Sequence, residues 1–178
     1  MEELIEKSTI QIKERIEFWF FKYFNKTKTD FNGNEIFTLF ELLNAKLQVK
    51  LKQRLSLDGN EIPVLVLKIS ESEFVINTTK KFVQIDSDSC EIINYSEFEW
   101  HNGYKSISII NTPTGKVANV KTEGLISDFG LRKRNGKIVY WKIPSGKPGF
   151  AFWNVTKKCE LIGRKFKITE QKRHHNNT

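Results

Sequence analysis

Seven short segments rich in β-branched and aromatic residues constrain this chain most: 62–69 (IPVLVLKI), 73–78 (EFVINT), 81–86 (KFVQID), 90–95 (CEIINY), 104–111 (YKSISIIN), 116–120 (KVANV) and 137–143 (KIVYWKI). Such residues suit a pleated, half-buried surface, and turn formers bound each segment. Most connections are only a few residues long, which implies antiparallel pairing, since a parallel crossover takes a dozen residues or more. Asp86 to Ser89, His101 to Gly103, Thr112 to Gly115 and Asn135-Gly136 supply turns. Asn-Gly, between a basic run and Lys137-Ile138-Val139, is the strongest hairpin signal. The expectation from Asp58-Gly59 onward is an antiparallel sheet or small barrel of about seven strands, within a β-rich domain over 58–170.

Helical spacing flanks this block. Ile5, Ile12, Ile16, Trp19 and Tyr23 predict a helix over residues 2–24, with Glu2 and Glu3 in its first turn. Phe18, Trp19, Phe20 and Phe21 exceed a single stripe, so this end is either enclosed on several sides or offered to a protein partner or a second copy. Thr27 to Asn34 reads as a turn. A second helix then runs from an Asn34 N-cap to Leu55 through Ile36, Phe40, Leu43, Leu47 and Leu51. Residues 1–57 thus form a helical extension. Val155, Cys159, Ile162 and Phe166, after Asn154 as N-cap, predict a closing helix in which Gly163 costs about 1 kcal/mol relative to Ala. A basic polar tail, 171–178, follows. The fold class is α+β.

With 178 residues the chain can bury a core without staples. Cys90 and Cys159 are too few for a disulfide framework and suit a reducing compartment. MEELIEK lacks the order of a secretory signal, and no apolar run approaches a membrane span, so a cytoplasmic location is expected.

The net charge of +8 is unevenly placed: residues 131–178 hold 13 Lys and Arg against Glu160 and Glu170, whereas residues 1–130 hold 16 against 19 acids. An anionic partner is the natural inference. Arg132, Lys133, Arg134, Lys137, Lys142, Lys147, Lys157, Lys158, Arg164 and Lys165 are the candidate anion-binding residues, and Tyr140, Trp141 and Trp153 the candidate stacking platforms. Cations attract phosphates while aromatic faces stack on unpaired bases, which favours a nucleic acid over an anionic membrane surface.

Asp128-Phe129-Gly130 resembles the magnesium-positioning segment of protein kinases, yet no phosphate-covering Gly-rich loop or catalytic Asp and Asn accompanies it. It reads as a turn before the basic hairpin. PSGKPG (144–149) departs from a Walker A loop, with Trp141 at the first glycine position and Pro148 at the Ser/Thr position. It reads as a Pro/Gly loop. His101, His174 and His175 have no ligand-spaced partners, so neither a metal, a cofactor nor an enzymatic role is expected. The reading is a non-catalytic binding protein. Seven strands and a capping helix also match the layout of pleckstrin-homology modules, whose basic loops take lipid headgroups or peptides, an analogy at the level of fold. The N-terminal helices offer a third reading, as a protein-interaction or oligomerisation element.

Overall fold

The computed structural model describes residues 4–105, 108–119 and 125–169. The chain enters as strand β1 (Ile5–Ser8) and only then turns into helix α1 (Thr9–Phe24). Ser8 closes a capping box: its hydroxyl accepts from Gln11 N at 3.3 Å and Gln11 Oε1 accepts from Ser8 N at 3.0 Å. The helix expected from residue 2 therefore starts at residue 9. The residues before it pair in parallel with the last strand instead, Ile5 opposite Phe166 and Ser8 opposite Thr169.

The helix expected over 34–55 is also corrected. Phe37–Leu39 forms β2, Phe40–Leu42 a single 3-10 turn, and α2 spans only Ala45–Arg54, capped by Asn44, whose side-chain Oδ1 accepts from Leu47 N at 2.9 Å. Asn34 caps nothing; Glu35 takes the turn amides of Asn32 and Gly33 at 3.0 and 2.9 Å. Cross-strand hydrogen bonds to β3 (Pro63–Lys68) outweigh the three-to-four spacing, with Phe37 opposite Leu67 and Leu39 opposite Leu65.

With β4 (Phe74–Thr78), β5 (Lys81–Ile85) and β6 (Cys90–Asn94) these strands make a five-stranded antiparallel sheet in order β2-β3-β4-β5-β6. Both faces of β3, β4 and β5 are covered, which is why these strands read as nearly unbroken apolar runs, whereas edge strand β6 buries only Ile93. Val66, Ile76, Val83 and Ile85 pack on Phe40, Leu43, Leu51 and Leu55. Leu65, Leu67, Val75 and Phe82 on the other face meet Ile12, Ile16 and Phe20 of α1 in the main core. The expected boundary at residue 57 is thus crossed by strand pairing and by both clusters.

A second sheet has the order β11-β10-β7: Phe98–Tyr104 (β7), Ile126–Lys133 (β10) and Ile138–Pro144 (β11). Two expectations fail here. His101 to Gly103 is strand, not turn, and Asp128-Phe129-Gly130 lies in the middle of β10. The Asn135-Gly136 hairpin falls where expected, between β10 and β11. The segment expected as one strand over 104–111 is split: Tyr104 ends β7, and Ser108–Thr112 (β8) pairs with Gly115–Asn119 (β9) as a separate hairpin. Residues 106–107 and 120–124, like the 171–178 tail, lie outside the described residues. Among the described residues ten strands lie in antiparallel sheets, none closed into a barrel.

The closing helix is two helices, α3 (Lys147–Thr156) and α4 (Cys159–Lys165), before β12 (Phe166–Thr169). The Pro/Gly loop becomes the start of α3, because proline in the first turn costs no hydrogen bond. Asn154 lies inside that helix, its amide donating to Phe150 O at 2.9 Å. Gly163 is fixed by packing: a Cβ there would lie 1.8 Å from the carbonyl oxygen of Tyr95.

Candidate nucleic-acid interface

The three-stranded sheet separates its side chains by alternation. Phe129, Leu131, Val139, Trp141 and Ile143 face the core. Their neighbours Asp128, Gly130 and Arg132, opposite Lys142, Tyr140 and Ile138, form the outer face. Strand β7 joins this face through two register shifts, so that Phe98 and His101 both turn inward although three residues apart. Glu99, Trp100 and Asn102 turn outward. Trp100 is 47% exposed and Tyr140 40%, large aromatic faces held on a sheet.

Each aromatic ring lies under a cation anchored by a carboxylate. The Arg132 guanidinium sits 4.9 Å from the Trp100 ring and bonds Glu99 at 3.1 Å. Lys105 Nζ lies 3.7 Å from the Tyr140 centroid and 3.5 Å from Asp128, whose other oxygen is 2.7 Å from Lys142. The hydrogen bond from Lys142, with the charge of Lys105 behind it, holds the Asp128 carboxyl below its ordinary value. Gly130 lets its neighbours close over the centre of the face: a Cβ would stand 2.9 Å from Asn102 Cβ and 3.2 Å from Tyr140 Cε1.

The hairpin tip extends this surface. Lys133 pairs with Glu97 at 3.1 Å; Arg134 bonds Ser96 O at 3.0 Å and shares Glu160 with Arg164 of α4. Lys137, in the turn, forms no ion pair with a described residue. Seven cations, Lys105 among them, therefore meet four carboxylates, a surplus of three. The remaining four candidates are not joined to this surface by any ion pair or hydrogen bond of their side chains among the described residues. Lys157 bonds Asn154 at 3.0 Å, Lys158 lies 5.9 Å from the Trp19 ring, and Lys147 and Lys165 form no ion pair with a described residue.

Of the expected stacking residues only Tyr140 is on the outer face. Trp141 is fully buried with its indole N–H donating to Glu91 at 2.8 Å, so it offers no platform. Trp153 is half-buried on the inner side, stacked on Phe150 and edge-on to Phe129. Trp100 and Lys105 went unread, because the bulges of β7 hide the alternation that would have shown Trp100 pointing outward. The Phe18 to Phe21 cluster shrinks likewise: Trp19 and Phe20 are core, Phe21 is half-buried, and Phe18 alone is exposed, at 59%.

Directly beneath the face lies His101, ringed by Phe98, Phe129 and Phe152. Its Nε2 is 2.8 Å from Thr156 Oγ1, and that hydroxyl donates to Phe152 O at 2.7 Å. Thr156 must then accept, which places the imidazole proton on Nε2 and leaves the buried Nδ1 without a partner. Burial, and secondarily the charge of Lys157, pushes the His101 pKa down to about 3. Cys159 is equally enclosed, its thiol pushed up to about 12 by burial. Among the described residues no cluster of His, Cys, Asp and Glu could hold a metal ion, and no helix is long and apolar enough to cross a membrane.

The chain is thus an α+β protein with an aromatic and cationic sheet face. Comparisons with protein-family models, with curated proteins and with solved structures find no match.

Proposed function

We propose that this chain is a non-catalytic binding protein for single-stranded nucleic acid, with the outer face of the β11-β10-β7 sheet and the β10–β11 tip as its interface. The observation that carries this reading is the pair Trp100 and Tyr140, exposed on one face, each with a cation over its ring. Unpaired bases take the place of Arg132 and Lys105 over the rings, and the released cations turn to the phosphates. Gly130 lets Asn102 and Tyr140 lie close against the sheet backbone, which holds the Tyr140 ring in place for a base. Glu99, Asp128, Glu97 and Glu160 compete for the same cations, so affinity is modest. A net surplus of three charges corresponds to a log–log salt slope of about −2 for a single strand.

Fluorescence anisotropy of a labelled 12-nucleotide pyrimidine strand, RNA and DNA, between 20 and 200 mM salt tests this. Trp100→Ala is expected to weaken binding roughly 5- to 150-fold, the worth of one stacked base, about 1–3 kcal/mol. An absence of binding at 20 mM salt, or an unaffected Trp100→Ala variant, rejects the reading.

A further inference from the structure

We propose that a cavity between α4, β12 and the loop after β6 is a binding site for a small amphiphilic carboxylate. The cavity measures about 210 Å³, and its apolar wall is built from Ile162, Phe166 and Ile168. Lys80, Asn94, Tyr95, Ser96 and Gly163 complete the lining, and among the described residues Lys80 is its only charged member. Of the neighbouring cations, Lys81 is buried 3.1 Å from Glu61, Arg134 and Arg164 share the single carboxylate of Glu160, and Lys167 lies 3.4 Å from Glu6. Lys80 has no carboxylate partner among the described residues, and the side chains of Asn94 and Ser96 make no hydrogen bond with one.

An apolar wall with one unpaired ammonium and two uncommitted polar groups matches a ligand with an apolar body and one anionic end. A lysine supplies a point charge suited to a single carboxylate rather than the bidentate fork of an arginine. The volume equals roughly seven waters at about 30 Å³ each, the scale of a short-chain carboxylate. In the complex the carboxylate meets Lys80 Nζ, Asn94 and Ser96 donate to it, and the hydrocarbon covers Ile162, Phe166 and Ile168. This site adjoins the hairpin tip at Ser96, whose carbonyl accepts from Arg134, but it does not rest on the nucleic-acid reading.

The test is an amide-shift NMR titration of the full chain with sodium hexanoate, and in parallel with hexan-1-ol and sodium acetate at constant ionic strength. Hexanoate is expected to saturate with a Kd of about 1 mM or tighter, shifting residues around 80, 94–96 and 162–168. Hexanol should bind at least tenfold more weakly, and acetate should not saturate. Lys80→Met, which keeps the half-exposed stem and removes the charge, should weaken hexanoate tenfold or more while leaving hexanol unchanged. Unsaturable or scattered hexanoate shifts, equal binding of hexanol, or full hexanoate affinity in Lys80→Met would each overturn the proposal.

Discussion

Replacing His101 by phenylalanine should flatten the acid limb of the stability curve. His101 is neutral and buried in the native state with a pKa of about 3, against 6.5 in the unfolded chain. Between those values the unfolded state binds a proton that the native state refuses, so stability falls as pH falls. The full window of about 3.5 units at ~1.36 kcal/mol each amounts to roughly 5 kcal/mol, of which about 3 kcal/mol is lost by pH 4.5. Phenylalanine fits the surrounding ring cluster and removes the unpartnered Nδ1. Thr156 keeps its donor bond to Phe152 O. The lost His–Thr bond, worth about 0.5–1.5 kcal/mol, and the relieved acceptor, worth about 1–3 kcal/mol, oppose one another, so the variant should match the wild type within about 2 kcal/mol at pH 7.5. Carboxylates such as Asp30, Glu35, Glu41 and Asp86, held below their ordinary values by hydrogen bonds and cations despite any burial, titrate alike in both proteins and cancel in the comparison. Urea unfolding followed by tryptophan fluorescence at pH 7.5 and 4.5 measures the difference. Acid losses equal within 0.5 kcal/mol, roughly the error of extrapolation, would refute the assignment of His101 as the buried neutral group.

Gly163→Ala should destabilise by about 1–3 kcal/mol, because the new methyl meets Tyr95 O at 1.8 Å; helix propensity alone gives the opposite sign, so the direction of the urea midpoint shift decides between them. Glu99→Gln with Asp128→Asn should tighten oligonucleotide binding and steepen its log–log salt slope by about 1–2, since each carboxylate removed frees a cation for phosphate; unchanged affinity and slope in anisotropy would contradict the competition. Gly130→Val should cut oligonucleotide affinity several-fold by displacing Tyr140 and Asn102, read by the same assay with circular dichroism confirming the fold. Exposed Cys90 should react with a thiol reagent within minutes, whereas buried Cys159 should react only on unfolding.

What the sequence made legible follows from how local each cause is. The segments forming β3, β4 and β5 were readable because a strand covered on both faces is apolar along most of its length, β6 because of its short β-branched run between turns, and Asn135-Gly136 because turn chemistry is set by two residues. The elements that misled were decided by distant partners. Phe37–Leu39 lies within the helical spacing of Ile36, Phe40 and Leu43, which becomes irrelevant once its backbone bonds β3, and Ile5–Ser8 becomes strand only because residues 166–169 lie beside it. Strand β7 carries Glu, His, Asn and Gly, and its two register shifts break the alternation that identifies a sheet face.

The same distinction governs the site. Charge could be counted along the chain, and the C-terminal surplus is real, but pairing could not be counted. Glu97 and Glu99, some 30 residues before the basic hairpin, are brought beside Lys133 and Arg132 by β7, and Asp128 lies across from Lys142 in the register of β10 and β11. Most of the positive charge there is therefore already answered within the fold. What distinguishes the surface is the exposure of Trp100 and Tyr140 beneath cations that a ligand can recruit only by displacing them from carboxylates. A strand with stacking bases offers compensation on both counts, aromatic contact for the ring and phosphate for the cation. A simple polyanion such as heparin offers only the second, and should compete poorly at matched charge for the same face.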